Sequence, residues 1–138
     1  MRARTNKLLA GPAVALLLTT LVGCGDRGPL RYKVTGLVTY RGKPVPVGRI
    51  GFEPDPDRGN RGPATMAIIE DGRFRTKSGK GTIGGPHVVK IYGYQAGAQT
   101  PVGLNIEKTL FPLYFTNVDL PKEDTTVDFE VPDQPPDQ

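Results

Sequence analysis

Val34-Thr35-Gly36-Leu37-Val38-Thr39-Tyr40-Arg41-Gly42-Lys43-Pro44-Val45-Pro46-Val47-Gly48-Arg49-Ile50-Gly51-Phe52 is the stretch that decides the fold. From Tyr32 to Tyr40 the residues alternate, with Tyr32, Val34, Gly36, Val38 and Tyr40 on one face and Lys33, Thr35, Leu37 and Thr39 on the other. A period of two is that of a half-buried strand. Gly42 to Gly48 is a turn-rich connection, and Arg49 to Glu53 follows as a second strand with Ile50 and Phe52 on one side. Pro54 and Pro56 then end the ladder, because proline lacks the N–H a strand donates.

Working outward, Ala64 to Glu70 and Arg73 to Lys77 flank Asp71-Gly72, a pair that readily supplies the two positive φ angles of a type I′ turn and so predicts a hairpin. Ser78 to Pro86 reads as a glycine-rich loop and His87 to Tyr94 as a strand with Val89 and Ile91 on one face. Residues 95 to 109 read as a long surface loop, and Phe111 to Phe115, broken by Pro112, as a packed segment rather than a central strand. Thr126 to Val131 is the last predicted strand, with Val127, Phe129 and Val131 facing in; the proline-rich tail, 132 to 138, is expected to be disordered. Gly and Pro together fill 32 of 138 positions without a period, which excludes collagen and helical bundles. No convincing helix follows residue 24, so the chain predicts an all-β fold, an antiparallel β-sandwich over residues 32 to 131.

The first seven residues carry Arg2, Arg4 and Lys7, and Leu8 to Cys24 hold no charge. This is a basic region followed by an apolar one, the form of a signal peptide. As a helix, seventeen residues reach only about 25 Å against a hydrocarbon core of roughly 30 Å, and Pro12 interrupts them. Leu21-Val22-Gly23-Cys24 resembles the bacterial lipobox, where small residues precede a lipidated cysteine. That resemblance implies a lipoprotein signal peptide over 1–23, cleavage before Cys24, a diacylglyceryl group on its sulfur and an acylated amine. Two or three acyl chains anchor a protein stably where one does not. Gly25 rather than Asp follows Cys24, and residues 24–31 form a short tether, which sets the domain close to the membrane.

Removing residues 1–23 leaves 15 basic against 14 acidic side chains, too little positive charge for a nucleic-acid binder. The charge is uneven: residues 27–80 carry 12 Lys and Arg against 5 acids, and 81–138 carry 3 against 8. Basic and acidic strands lying side by side account for this, and contact with an anionic envelope polymer or lipid headgroups is the functional alternative.

The opening stretch, together with Asp71-Gly72-Arg73-Phe74 and Gly84-Gly85-Pro86-His87-Val88-Val89-Lys90-Ile91, resembles transthyretin-like, or carboxypeptidase-regulatory-like, domains. These open on a V-x-G-x-V strand and a G-x-P-V turn and carry a D-G-x-F hairpin. The resemblance implies an Ig-like or transthyretin-like sandwich of six or seven strands. With the lipobox, it implies a small lipoprotein of the bacterial cell envelope, held on the cell membrane or outer membrane. Its function is then that of a non-catalytic binding or assembly module; an enzyme or structural protein acting on an envelope polymer is the alternative. A transthyretin-related hydrolase of this architecture uses more than one His and a C-terminal Tyr-Arg-Gly-Ser, whereas this chain has only His87 and ends in Asp-Gln.

Other candidate sites have structural explanations. His87 shares parity with Val89 and Ile91 and is expected at the edge of the core, and no G-x-S-x-G supplies a nucleophile. Glu53 to Asn60 gathers oxygen ligands that suit calcium, but the calcium-loop spacing from Asp55 puts Met66 where Glu is needed. Gly79-Lys80-Gly81-Thr82 lacks the spacing of a phosphate loop. Arg73, Arg75 and Lys77 share one solvent face of their hairpin, where they either protect a strand edge or contact an anionic ligand. No cofactor or metal is expected, Cys24 is the lipidation site, and the membrane is the expected partner, with an envelope protein or anionic polymer as a further one.

Overall fold

The computed structural model describes residues 28–96 and 109–133. Over these residues the chain is all-β: β1 (Val34–Tyr40), β2 (Lys43–Pro44), β3 (Val47–Pro54), β4 (Thr65–Glu70), β5 (Arg73–Arg75), β6 (Gly85–Tyr94), β7 (Tyr114–Leu120), β8 (Thr125–Thr126) and β9 (Phe129–Val131), with one 3₁₀ turn at Pro56–Arg58. The main path across the sheet is β2-β1-β5-β4-β3-β6-β7, antiparallel throughout. The longest ladder joins β3 to β6 from Val47↔Tyr94 to Pro54↔His87.

The sheet curls onto itself. Phe52 on β3 and Phe129 on β9 are far apart along the sheet, yet their ring centroids lie 6.2 Å apart, and Phe74 on β5 sits 5.9 Å from Phe52 and 6.2 Å from Phe129. Val34, Val38, Ile50, Phe52, Ile69, Val89, Ile91 and Val131 fill one core with at most 1% of their surface exposed. Alternation explains the arrangement: β4 has the pattern buried-exposed throughout, with Thr65, Ala67 and Ile69 inward and Met66, Ile68 and Glu70 outward.

Asp71 and Gly72 adopt φ of 48° and 79°, the predicted primed turn between β4 and β5. Arg41 and Gly42, with φ of 53° and 70°, form a second such turn where only a turn-rich connection is predicted, and Tyr40↔Lys43 pair across it.

Three expectations need correction. The last predicted strand is two short ones, β8 and β9, and both run parallel to β1 rather than antiparallel. The chain leaves β7 and lies along β1, where Asp124 accepts the Lys33 N–H at 2.7 Å and Asp128 accepts the Leu37 N–H at 2.8 Å. Phe111 does pack into the core, but the segment continues as β7, a full strand against β6 that the proline at 112 obscures. β6 begins at Gly85, two residues early, because Gly85 and Pro86 already pair with Leu120 and Asp119 of β7. The signal segment 1–23, Cys24, most of the 95–109 loop and residues 134–138 of the tail lie outside the described residues. Among the described residues, no helix is long and apolar enough to cross a membrane.

Candidate functional site

β1 lies between β5 and β8, and this seam carries an open depression of about 550 Å³. Thr35, Leu37, Arg73, Arg75, Thr126 and Asp128 line it. Register builds it row by row. Thr35 pairs with Arg75 on one side and Thr126 on the other, and the two threonine hydroxyls are 3.0 Å apart. Leu37 pairs with Arg73, while the Asp128 carboxylate takes the Leu37 N–H. A second depression of about 450 Å³ continues past Arg75 toward Lys33 and Asp124.

Charge distinguishes this face. The uneven charge along the sequence is matched in part across the fold: Lys33–Asp124 at 3.5 Å, Arg58–Asp119 at 3.6 Å and the Arg41–Asp133 contact each join the basic first half to the acidic second. Asp133 holds the Arg41 guanidinium above its ordinary pKa through hydrogen bond and charge. Arg73, Arg75 and Lys77 are exposed and make no ion pair with a described residue. They do not protect an edge. β5 is an interior strand, bonded to β1 on one side and β4 on the other, so Arg73 and Arg75 stand in the middle of a sheet face and Lys77 follows just past the strand's end. The sequence shows the hairpin partner but not β1, which is why an edge is expected there.

Apolar side chains share this face. Ile68 on β4 pairs with Arg49 on β3, and continuing the β4–β5 register sets it opposite Arg75. Met66 pairs with Gly51, which in turn pairs with Lys90. Lys90 bonds Glu53 at 2.8 Å and lies 5.7 Å from the centre of the Phe115 ring. Ile68 is 62% exposed and Met66 60%. The unbroken apolar run Met66 to Ile69 holds that signal in the sequence, since a strand facing water on one side normally alternates.

The other candidates are taken up by the fold. His87 has no accessible surface; its Nδ1 lies 2.8 Å from the Gly85 carbonyl, which can only accept, so Nδ1 donates. Nε2 is buried without a hydrogen-bond partner among the described residues, so no described hydroxyl is set for it to activate. Burial holds the ring below the ordinary histidine pKa, against the Gly85 bond and the Asp119 charge. The Asp55 carboxylate accepts the Asp57 N–H at 3.0 Å and caps the 3₁₀ turn. Asn60 donates to the Gly84 and Pro86 carbonyls, so both polar side chains brace the loop internally. Lys80 closes a turn onto Lys77. Among the described residues no group of three or more His, Cys, Asp and Glu side chains could hold a metal ion.

No family model, no curated protein and no solved structure matches this chain, so its own residues carry the functional reading.

Proposed function

We propose that this protein is a lipid-anchored domain of the bacterial cell envelope, of transthyretin-like or carboxypeptidase-regulatory-like type, and that it works without catalysis as a binding module for an anionic partner. Cys24 carries the anchor. Arg73, Arg75 and Lys77 receive the partner, with Thr35 and Thr126 offering hydroxyls along the adjoining seam. The observation that supports the binding role is the placement of two exposed cations, Arg73 and Arg75, on an interior strand, with Lys77 two residues beyond its end and none of the three ion-paired to a described residue. A strand in that position needs no charge to stop it pairing with other chains, and neighbouring like charges repel each other unless something anionic covers them.

Intact mass of the detergent-extracted protein beside its Cys24→Ser variant tests the anchor. The expected species lacks residues 1–23 and carries acyl mass that the variant loses; a full-length or unacylated species refutes it. Elution from an anionic exchange surface tests the face: Arg73→Ser, Arg75→Ser and Lys77→Ser together should lower the eluting salt well beyond Lys43→Ser, Lys80→Ser and Lys122→Ser together. Equal shifts would refute a special role for β5.

A further inference from the structure

We infer that the partner of this cationic face is the anionic bilayer surface that carries the anchor, so that β4 and β5 lie against phosphate headgroups with Met66 and Ile68 dipping among them. The inference rests on the lipid-anchored reading above and adds an orientation to it.

The path of the tether is the first argument. Cys24 stands four residues before Gly28, and at no more than about 3.6 Å per residue this spans roughly 14 Å. The described chain then leads to one end of this face. Arg31 Nη2 donates to the Pro63 and Ala64 carbonyls and the Thr65 hydroxyl at 3.1 to 3.3 Å, which ties the tether to the start of β4, next to Met66. Tyr32 bridges to Thr82, and Val34 donates its N–H to the Thr76 hydroxyl, so the start of β1 lies beside the end of β5. An acyl chain on Cys24 therefore holds the Met66 and Lys77 end of the hairpin near the bilayer.

The second argument is what the chain leaves uncovered. Among the described residues the large apolar side chains left exposed are Leu30, Met66 and Ile68, at 78%, 60% and 62%. Leu30 is on the tether and the other two are on this face. Exposed apolar residues interleaved with cations are the composition that settles into a headgroup layer, where the aliphatic part enters and the charge meets phosphate. The acidic side chains beside this face are engaged: Asp128 accepts the Leu37 N–H and Asp124 pairs with Lys33. Glu53 is taken by Lys90, and Glu70 sits opposite Arg73 at the far, turn end. Charge and exposed apolar surface are thus arranged to tilt the hairpin's tether end into the surface.

A single-thiol probe tests this, because Cys24 is the chain's one cysteine and its sulfur is acylated in the mature protein. Acylated protein carrying Ile68→Cys, labelled with an environment-sensitive fluorophore, is reconstituted into neutral phosphatidylcholine vesicles and into vesicles with 30% phosphatidylglycerol. Met66→Cys serves as the second probe and Lys43→Cys as the control. The expected result is a blue-shifted emission and at least twofold quenching by brominated lipid at 66 and 68 in the anionic vesicles only. Both should fade in about 0.5 M salt, whose screening length is only a few ångströms, and in the Arg73→Ser, Arg75→Ser, Lys77→Ser background. Position 43 should not respond. An acylated protein that floats with the vesicles while 66 and 68 keep water-like, unquenched emission overturns the inference and leaves the anchor standing. Protection of the label by soluble poly(glycerol phosphate) but not by the anionic bilayer also overturns it, and returns the face to a polymer. A chain without acyl mass removes anchor and inference together.

Discussion

Replacing Gly36 by Ala tests the least expected part of this architecture, the parallel closure of β8 and β9 onto β1. A Cβ built on Gly36 would stand 1.8 Å from the Val127 carbonyl oxygen, 2.7 Å from its carbon and 2.9 Å from Phe74 Cε1. Real Cβ atoms essentially never approach closer than 3.0 Å, so the Val127 backbone must retreat by more than 1 Å. The obstacle is main chain, and no rotamer change relieves it. The same stretch is held by Val127 N–H donating to the Thr35 carbonyl at 2.9 Å and by Asp128 accepting from Leu37. Losing both, at about 1 kcal/mol each, and loosening Phe129 in the core brings the cost to about 3 kcal/mol. For a domain of this size that lowers the thermal midpoint by roughly 10–20 °C. Gly51 provides the comparison, since its Cβ would meet nothing nearer than 4.0 Å. Gly51→Ala should be neutral or gain up to about 1 kcal/mol from reduced freedom of the unfolded chain. Thermal unfolding followed by circular dichroism measures both. If Gly36→Ala unfolds within 2–3 °C of Gly51→Ala, β8 and β9 do not close on β1 as described.

Phe52→Ala empties the centre of the three-ring cluster and should cost about 3–5 kcal/mol, read by denaturant midpoint; a loss under about 1 kcal/mol would mean that the two ends of the sheet do not meet there. His87 gives a pH prediction. Its folded pKa lies below the ordinary 6.5, so below that pH the unfolded chain binds the proton more readily and stability falls as acid is added, by up to about 1.4 kcal/mol per pH unit. The thermal midpoint should therefore drop between pH 7.5 and 5.5 more steeply in the native chain than in His87→Gln; parallel curves would show that the ring is charged or solvated when folded.

Most of the fold is legible from local pattern. Period-two alternation marks β1, β3 and β6, and Asp71-Gly72 marks its hairpin, because both signals depend only on near neighbours in the chain. β8 and β9 show the limit. Val127, Phe129 and Val131 face inward as their parity predicts, but parity says nothing about which strand lies alongside or in which direction. β7 was hidden by the neighbouring Pro112, which ends one packed segment while leaving Tyr114 onward free to pair. For the candidate site, Arg73, Arg75 and Lys77 are visible as a cationic face, whereas Thr126 and Asp128 join them only through pairing 91 residues away. Met66 and Ile68 were legible in principle as the outward half of an apolar run.

The same long-range pairing sets an order of events in folding. Lys33, Thr35 and Leu37 meet Asp124, Thr126 and Asp128, each 91 positions later, so one side of β1 stays open until residues 124–128 are present. Contacts of such separation carry the loop-closure entropy late and slow the fold. A chain emerging N-terminus first exposes a bare β1 edge to proteases and to other nascent chains until β8 and β9 appear. Products truncated before Thr125 would keep every antiparallel ladder and still lack the latch, and quality control could recognise them by that unpaired edge.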